Sequence, residues 1–258
     1  MAEITLINGD CLEIMKTIDD KSIDLIICDL PYGCLHPGKI KGGSNERFVN
    51  DCCSWDVALD LEKFWTEIRR IRKNDHTPCI HFCTTKFGYD LIHSNEKEFH
   101  YDLVWNKNRG TSFLLANKMP MRSHEMIYVF SKSGANYNRI DIDTNAPPYF
   151  RKGGERKDNI YSSSVTHFKG DSGRKDGKRC PLSIIDVFKS GTCNDAHPTE
   201  KPKELYQWLI ERYSKPGDTV LDPTFGSGNS VFTAYTLGRS AIGIEKDETF
   251  FENAVAKL

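Results

Sequence analysis

The chain has no apolar run near the length of a bilayer span, which excludes a transmembrane helix. None of its 9 cysteines is spaced Cys-x-x-Cys, and an odd count argues against a disulfide scaffold, so a reduced, cytoplasmic setting is expected. The first ten residues lack the basic, apolar and small succession of a signal peptide. There is no internal repeat, and neither charge sign dominates, with 35 basic against 36 acidic side chains. What is there is a filled chain of 258 residues, 38% hydrophobic with a mean hydropathy of -0.52, long enough to bury a large core; disorder and collagen-like fibre are excluded.

The balanced total hides a partition. Residues 104–139 and 151–179 are each net positive by 5, inside an otherwise acidic chain. Such an asymmetry fits a surface facing a polyanion, and equally fits solvated basic loops. Seven short apolar runs, at residues 4–7, 24–28, 79–82, 101–105, 126–130, 219–221 and 241–244, read as strands. Most are continuous rather than alternating, as in strands covered on both faces. Helical stretches are expected at 12–16, 59–71, 203–213, 230–237 and 249–257, the second with Leu61, Phe64, Trp65, Ile68 and Ile71 on one stripe. The sum is a single α/β domain over 1–258 with a mainly parallel sheet. Two aperiodic stretches interrupt it: 34–55, expected to be a mobile loop, and about 134–195, expected to be an insert that recognises a partner.

Two segments carry chemistry. Residues 220–230 read Val-Leu-Asp-Pro-Thr-Phe-Gly-Ser-Gly-Asn-Ser, a buried strand running through a glycine turn into a helix. Gly226 and Gly228 let a ligand approach the backbone, and Glu245, nineteen residues past Gly226, can accept both hydroxyls of a ribose. The other segment is residues 23–33, Ile-Asp-Leu-Ile-Ile-Cys-Asp-Leu-Pro-Tyr-Gly. It delivers Asp29 to the carboxyl end of a strand, where ligands bind in open α/β sheets. Pro31 pushes Leu30 into an extended conformation, so the Asp29 carboxylate and the Leu30 carbonyl can face one amino group, and Tyr32 offers a flat face to a base.

Asp29-Leu-Pro-Tyr32, His197-Pro-Thr-Glu-Lys-Pro202 and Asp222-Pro-Thr-Phe-Gly-Ser-Gly228, in that order, resemble the β-class DNA amino-methyltransferases, which methylate the exocyclic amines of adenine or cytosine from S-adenosyl-L-methionine. The resemblance runs from Asn8-Gly-Asp-Cys11 to Glu245. It takes in Trp55-Asp56, Thr85-Lys-Phe-Gly88, Val104-Trp-Asn-Lys107 and His124-Glu-Met-Ile-Tyr-Val-Phe130. It implies a Rossmann-like, seven-stranded, mostly parallel methyltransferase sheet ending in an antiparallel hairpin, circularly permuted with the catalytic half first and the cofactor half last, and a target-recognition insert. By motif, Asp222, Phe225, Gly226 and Gly228, with Ser227 and Asn229 of the same turn, would hold the methionine part of the cofactor. Thr199 and Lys201 would hold its carboxylate, Glu245 its ribose, and Asp10 and Cys11 its adenine. Asp29, Leu30, Pro31 and Tyr32 would form the catalytic turn.

The implied partner is double-stranded DNA. Its contacts would fall to Lys107, Arg109, Lys118 and Arg122 in the first basic segment and to Arg151, Lys152, Arg156, Lys157, Arg174 and Lys175 in the second. The resemblance also implies a homodimer and a cytoplasmic, nucleoid-associated location, and it leaves room for a cognate restriction endonuclease. Leu30 departs from the family's commoner Asp-Pro-Pro-Tyr; its carbonyl, the needed acceptor, survives. Asp at the first position is more like the adenine enzymes, with cytosine N4 as the second target. A cytosine carbon-5 enzyme would need a nucleophilic cysteine, and Pro78-Cys79 opens an apolar strand instead. A zinc site from Cys52, Cys53, His81 and Cys83 is set against strand packing, which the alternation favours, and no metal is expected. A dinucleotide oxidoreductase lacks its third glycine. The motifs also leave room for methylation of RNA or protein and for a non-catalytic DNA-binding subunit.

Overall fold

All seven apolar runs become strands of one sheet in the computed structural model. It describes residues 2–32, 57–111, 113–144, 147, 149–151, 172–174, 177–187 and 200–258, so the loop expected at 34–55 lies outside the described residues. The strands are β1 (Ile4–Asn8), β2 (Leu25–Cys28), β3 (Cys79–Cys83), β4 (Phe99–Thr111), β5 (Arg122–Phe130), β11 (Thr219–Asp222) and β12 (Ser240–Glu245). An eighth, β10 (Ile184–Asp186), extends the sheet at the edge beside β4. The order is β1-β12-β11-β2-β3-β5-β4-β10, and β5 alone runs against the rest. The sheet therefore has eight strands, not seven. Three residues, Ile-Ile-Asp, are too few to show a period, and they fall inside the stretch read as an insert.

Helices α1 (Cys11–Ile14), α2 (Leu61–Ile71), α3 (Thr85–Ser94), α4 (Lys203–Tyr213), α5 (Asn229–Thr236) and α6 (Glu248–Val255) cover the faces. Four of them start on side-chain caps: Asp10, Asp60, Thr84 and Asp247 each accept a backbone N–H of the first turn. Because strand side chains alternate, β2 sends Leu25 and Ile27 into one core and Ile26 and Cys28 into the other. Helix α2 buries Phe64, Trp65, Ile68 and Ile71 against the second core. Trp65 also donates from Nε1 to Ser94 Oγ at 2.8 Å, so Trp65→Ala would lose about 3–5 kcal/mol. Helix α3 has no clear sequence signature because Gly88 sits in its middle. That glycine is required by packing, since a Cβ there would lie 2.6 Å from the Tyr128 ring.

The chain divides into two compact units. One comprises Met1–Asn138 with Ser183–Leu258 and holds the whole eight-stranded sheet. The other, Arg139–Leu182, contains two short antiparallel pairs, β6 (Ile142–Asp143) with β9 (Lys178–Arg179) and β7 (Tyr149–Arg151) with β8 (Ser172–Arg174). Among the described residues no helix is long and apolar enough to cross a membrane.

Candidate active site

Parallel β12, β11 and β2 lie side by side and end at one edge, so Glu245, Asp222 and Asp29 arrive there together. A cavity of about 500 Å³ opens at that edge, lined by the Asp29–Tyr32 turn, the 223–227 turn, Asp10, Cys11 and Glu245. The glycine turn is built for close approach. Gly226 and Gly228 take φ of 53° and 85°, which side-chain-bearing residues avoid, and a Cβ on Gly228 would lie 2.4 Å from Phe232.

Glu245 holds this turn from the neighbouring strand. One carboxylate oxygen accepts the Gly226 N–H at 2.9 Å and the other the Asp247 N–H at 2.8 Å. Burial raises its carboxyl above the ordinary value, and these two N–H groups hold it back only in part. Asp222, expected to line the methionine part, does not line the cavity. It is buried beneath the turn, accepting from Ser230 Oγ and from the Thr224 N–H at 3.0 Å. Burial pushes it up to about 7, against those hydrogen bonds. Gly228 and Asn229 likewise shape the turn rather than line the cavity. Asn229 Nδ2 donates to Glu200 Oε1 at 2.8 Å and to the Lys201 carbonyl at 2.9 Å, which ties the Glu200-Lys201 segment to the start of α5. At the opposite wall Asp10 caps α1 and pairs with Lys246 at 3.0 Å. Burial raises the Asp10 carboxyl, but Lys246 and the Leu12 N–H outweigh it and hold the group below its usual range. Burial pushes the neighbouring Cys11 thiol up to about 12, so it stays protonated.

The Asp29 carboxylate is engaged on both oxygens. Tyr32 OH donates to Oδ1 at 2.9 Å and Lys201 Nζ to Oδ2 at 2.5 Å. Lys201 is 4% exposed, lies 3.5 Å from Glu125 Oε2, and sits 5.2 Å from the Phe82 ring centroid. Burial lowers its pKa, yet the Asp29 and Glu125 charges more than offset this and hold it above the usual lysine value. Glu125 is also bridged by Lys107 Nζ at 3.1 Å. Lys107, expected on DNA phosphate, is instead buried and paired with Glu125, because its place on β4 points it at the sheet's own carboxylate. Glu125 is a site residue that the sequence did not single out; its only signal was membership of the 124–130 motif.

Arg109 and Lys118 are exposed and Arg122 is half-buried, free of that cluster. Thr199, Lys152, Arg156, Lys157 and Lys175 lie outside the described residues, while Arg151 and Arg174 belong to β7 and β8. Cys28, Cys79 and His81 bring three donor atoms within 4.8 Å of one another, all buried, and none lines the cavity. Cys83 is not in that group, and Cys52 and Cys53 lie outside the described residues.

The sequence matches the family model described as DNA methylase over residues 23–256. It is 28% identical over 270 residues to the type II methyltransferase M.HinfI of Haemophilus influenzae, covering 98% of this chain and 68% of that protein. To the type II methyltransferase M.HpaI of Haemophilus parainfluenzae it is 26% identical over 261 residues, covering 98% and 73%. Among solved structures it resembles the PvuII DNA methyltransferase (cytosine-N4-specific), with a TM-score of 0.66 at 15% identity over 99% of this chain and 86% of that one. It also resembles M1.HpyAVI in complex with SAM, with a TM-score of 0.60 at 20% identity over 99% and 100%. These two likenesses establish the shared fold.

Proposed function

The chain belongs to the DNA methylase family of N6- and N4-specific enzymes, and from that premise we propose that it transfers the methyl group of S-adenosyl-L-methionine to the exocyclic N6 amine of adenine in double-stranded DNA. The observation that carries this is the convergence of the Asp29–Tyr32 turn and the 223–227 turn on one cavity of about 500 Å³. Its size suits a nucleoside cofactor, and a buried carboxylate, Glu245, faces it beside a turn where Gly226 takes a positive φ. Those features fit the cofactor. Glu245 would take the ribose hydroxyls, Asp10 and Cys11 the adenine, and Phe225, Gly226 and Ser227 the methionine part, with Asp222, Gly228 and Asn229 shaping the turn.

S-adenosyl-L-methionine, when bound, supplies an electrophilic methyl group on a sulfonium. The chain's own residues would do the rest. An exocyclic amine is a poor nucleophile because its lone pair is delocalised into the ring. Asp29 and the Leu30 carbonyl, accepting its two hydrogens, would localise that pair and fix the line of attack. Asp29 would then take the proton that the methylated amine releases. Tyr32, whose ring lies 5.0 Å from that of Phe87, would stack on a base swung out of the duplex. Since Lys201 occupies Asp29 Oδ2, the ammonium would shift toward Glu125 as the amine binds.

Cytosine N4 is the second reading, supported by the likeness to the cytosine-N4-specific PvuII enzyme and by an acceptor pair that suits either amine. The proposal extends to the unit Arg139–Leu182, within the stretch of about 134–195 expected as an insert, as the target-recognition insert, and to a homodimer in solution, which light scattering in the presence of DNA would refute by a monomeric mass. The main test is transfer from radiolabelled S-adenosyl-L-methionine to unmodified DNA, with nucleosides separated afterwards and Asp29→Ala as control. Label in N6-methyladenine that vanishes in the variant is expected. Label in N4-methylcytosine would install the second reading, and no label on any DNA would refute both.

A further inference from the structure

Strands β4 and β5 outrun their sheet. On one side β3 stops at Cys83, opposite Met126, and on the other β10 stops at Asp186, opposite Asn106. Past Asn106 and His124 the pair continues alone as a two-stranded arm that closes again at Thr111 and Arg122. Since β5 opposes both β3 and β4, β4 runs with the parallel strands, and the arm rises from the edge that carries Asp29 and the cavity. Between these two pairings β5 advances only from His124 to Arg122, so residues 107–110 of β4 bulge out and the paired part of the arm reaches roughly 7 Å beyond that edge. Its foot is fixed by the buried Lys107–Glu125 pair at 3.1 Å, and Glu125 lines the cavity.

The arm ends in a single 3-10 turn, Phe113–Leu115, whose side chains are 76%, 84% and 43% exposed, followed by Met119 and Met121, also exposed. A water-exposed cluster of large apolar side chains marks an interaction site. The flanking charge names the partner: residues 108–122 contain Arg109, Lys118 and Arg122 and no aspartate or glutamate. Apolar side chains between cations are the chemistry of a wedge that parts stacked bases while its flanks hold phosphate.

Resting on the reading of the chain as a DNA methyltransferase, we infer that the β4–β5 arm is that wedge. Phe113, Leu114 and Leu115 enter the duplex and fill the gap left when the target base swings to Asp29, and Arg109, Lys118 and Arg122 grip the backbone beside it. A second copy of the chain is the competing occupant of the tip, and it gives no role to the three cations.

The test is the triple variant Phe113→Ser, Leu114→Ser, Leu115→Ser in the full chain, on duplexes carrying the site mapped from methylated DNA. One duplex is fully paired; the other leaves the target base opposite an abasic position. The variant's methylation rate on the paired duplex should fall at least about tenfold and that on the unpaired target stay within about twofold, because only the first requires the stack to be opened. The near-normal rate on the unpaired target also shows that the variant folds. Wild-type rates on both duplexes, or an equal fall on both, would overturn the wedge. So would a halved mass by light scattering without DNA, which would give the tip to a second copy. A wild-type chain that labels neither duplex would overturn the methyltransferase reading itself, and the wedge with it.

Discussion

Replacing Lys201 with methionine removes the cation held between Asp29 and Glu125 while keeping a side chain of similar length against Phe82. The ammonium is 4% exposed and its two carboxylates 19% and 20%, so water compensates little for its loss. Breaking a buried pair of this kind is destabilising by about 3–5 kcal/mol, and the partial exposure of the carboxylates puts the expectation at about 3. Glu125 keeps Lys107, which also favours the lower figure. For a chain of this size about 3 kcal/mol corresponds to a fall in Tm of roughly 6–12 °C, or about 1 M in the urea midpoint.

The pH dependence separates this cause from lost packing. In the wild type the Lys201 pKa is raised, so its contribution is complete below the ordinary lysine range and lost only as pH climbs through the still higher folded value. It is therefore constant across neutral pH. In the variant Asp29 and Glu125 face each other as like charges with no ammonium between them, a repulsion absent when either is protonated, so the variant loses stability relative to the wild type as pH rises. The gap between the two proteins should widen from pH 5 to pH 8 in urea melts. A midpoint shift under about 0.3 M, or a gap that does not change with pH, would refute the electrostatic account.

Asp222→Asn should act in the opposite direction. The wild-type carboxyl is pushed up to about 7, so the folded chain holds an extra proton between about pH 4 and 7 and loses stability across that window; the asparagine variant should gain on it by up to a few kcal/mol. Parallel stability curves from pH 4.5 to 8 would remove that carboxyl from the balance. Glu245→Gln should weaken S-adenosyl-L-methionine binding by about ten- to a hundredfold in calorimetry, the loss of charge-assisted hydrogen bonds, and an unchanged Kd would place the ribose elsewhere. Arg109→Ala should flatten the dependence of log K for DNA on log salt by about 0.9, whereas Lys107→Ala should leave that slope alone and lower the urea midpoint. A slope change in the Lys107 variant would return that lysine to the phosphate surface.

The sheet was legible because its strands are buried on both faces. All the residues of β2 and β3 are buried, and in β2 the unbroken apolar run followed by Asp29 marks the strand and its carboxyl end at once. The Asp29 and Gly226 turns could be read for the same reason. Lys107 and Glu125 could not be, because a charged residue looks alike in sequence whether solvated or paired. Their pairing depends on β4 and β5 meeting in register, where Trp105 faces Glu125. Asp222 was misread for a related reason: a carboxylate at a strand end can face a ligand or be drawn under the turn by Ser230 and Thr224. The turn's backbone decides which, and both outcomes share one sequence.

The electrostatics of the cavity bear on the choice among nucleoside ligands more directly than the glycine turn does. Seven carboxylates line it against two ammonium groups, and both ammoniums are already paired, Lys201 with Asp29 and Lys246 with Asp10. A pyrophosphate would enter this field against repulsion, with no uncommitted cation among the described lining residues to receive it, which sets a dinucleotide ligand aside on physical grounds. A ligand carrying positive charge is favoured by the same field, and the attraction weakens once that charge has been spent on the acceptor. The site should therefore hold a sulfonium more tightly than the thioether that methyl transfer leaves behind. Raising the ionic strength should narrow the ratio of S-adenosyl-L-methionine to S-adenosyl-L-homocysteine affinity, since a charge effect is screened and a shape effect is not; a ratio indifferent to salt would assign the preference to shape.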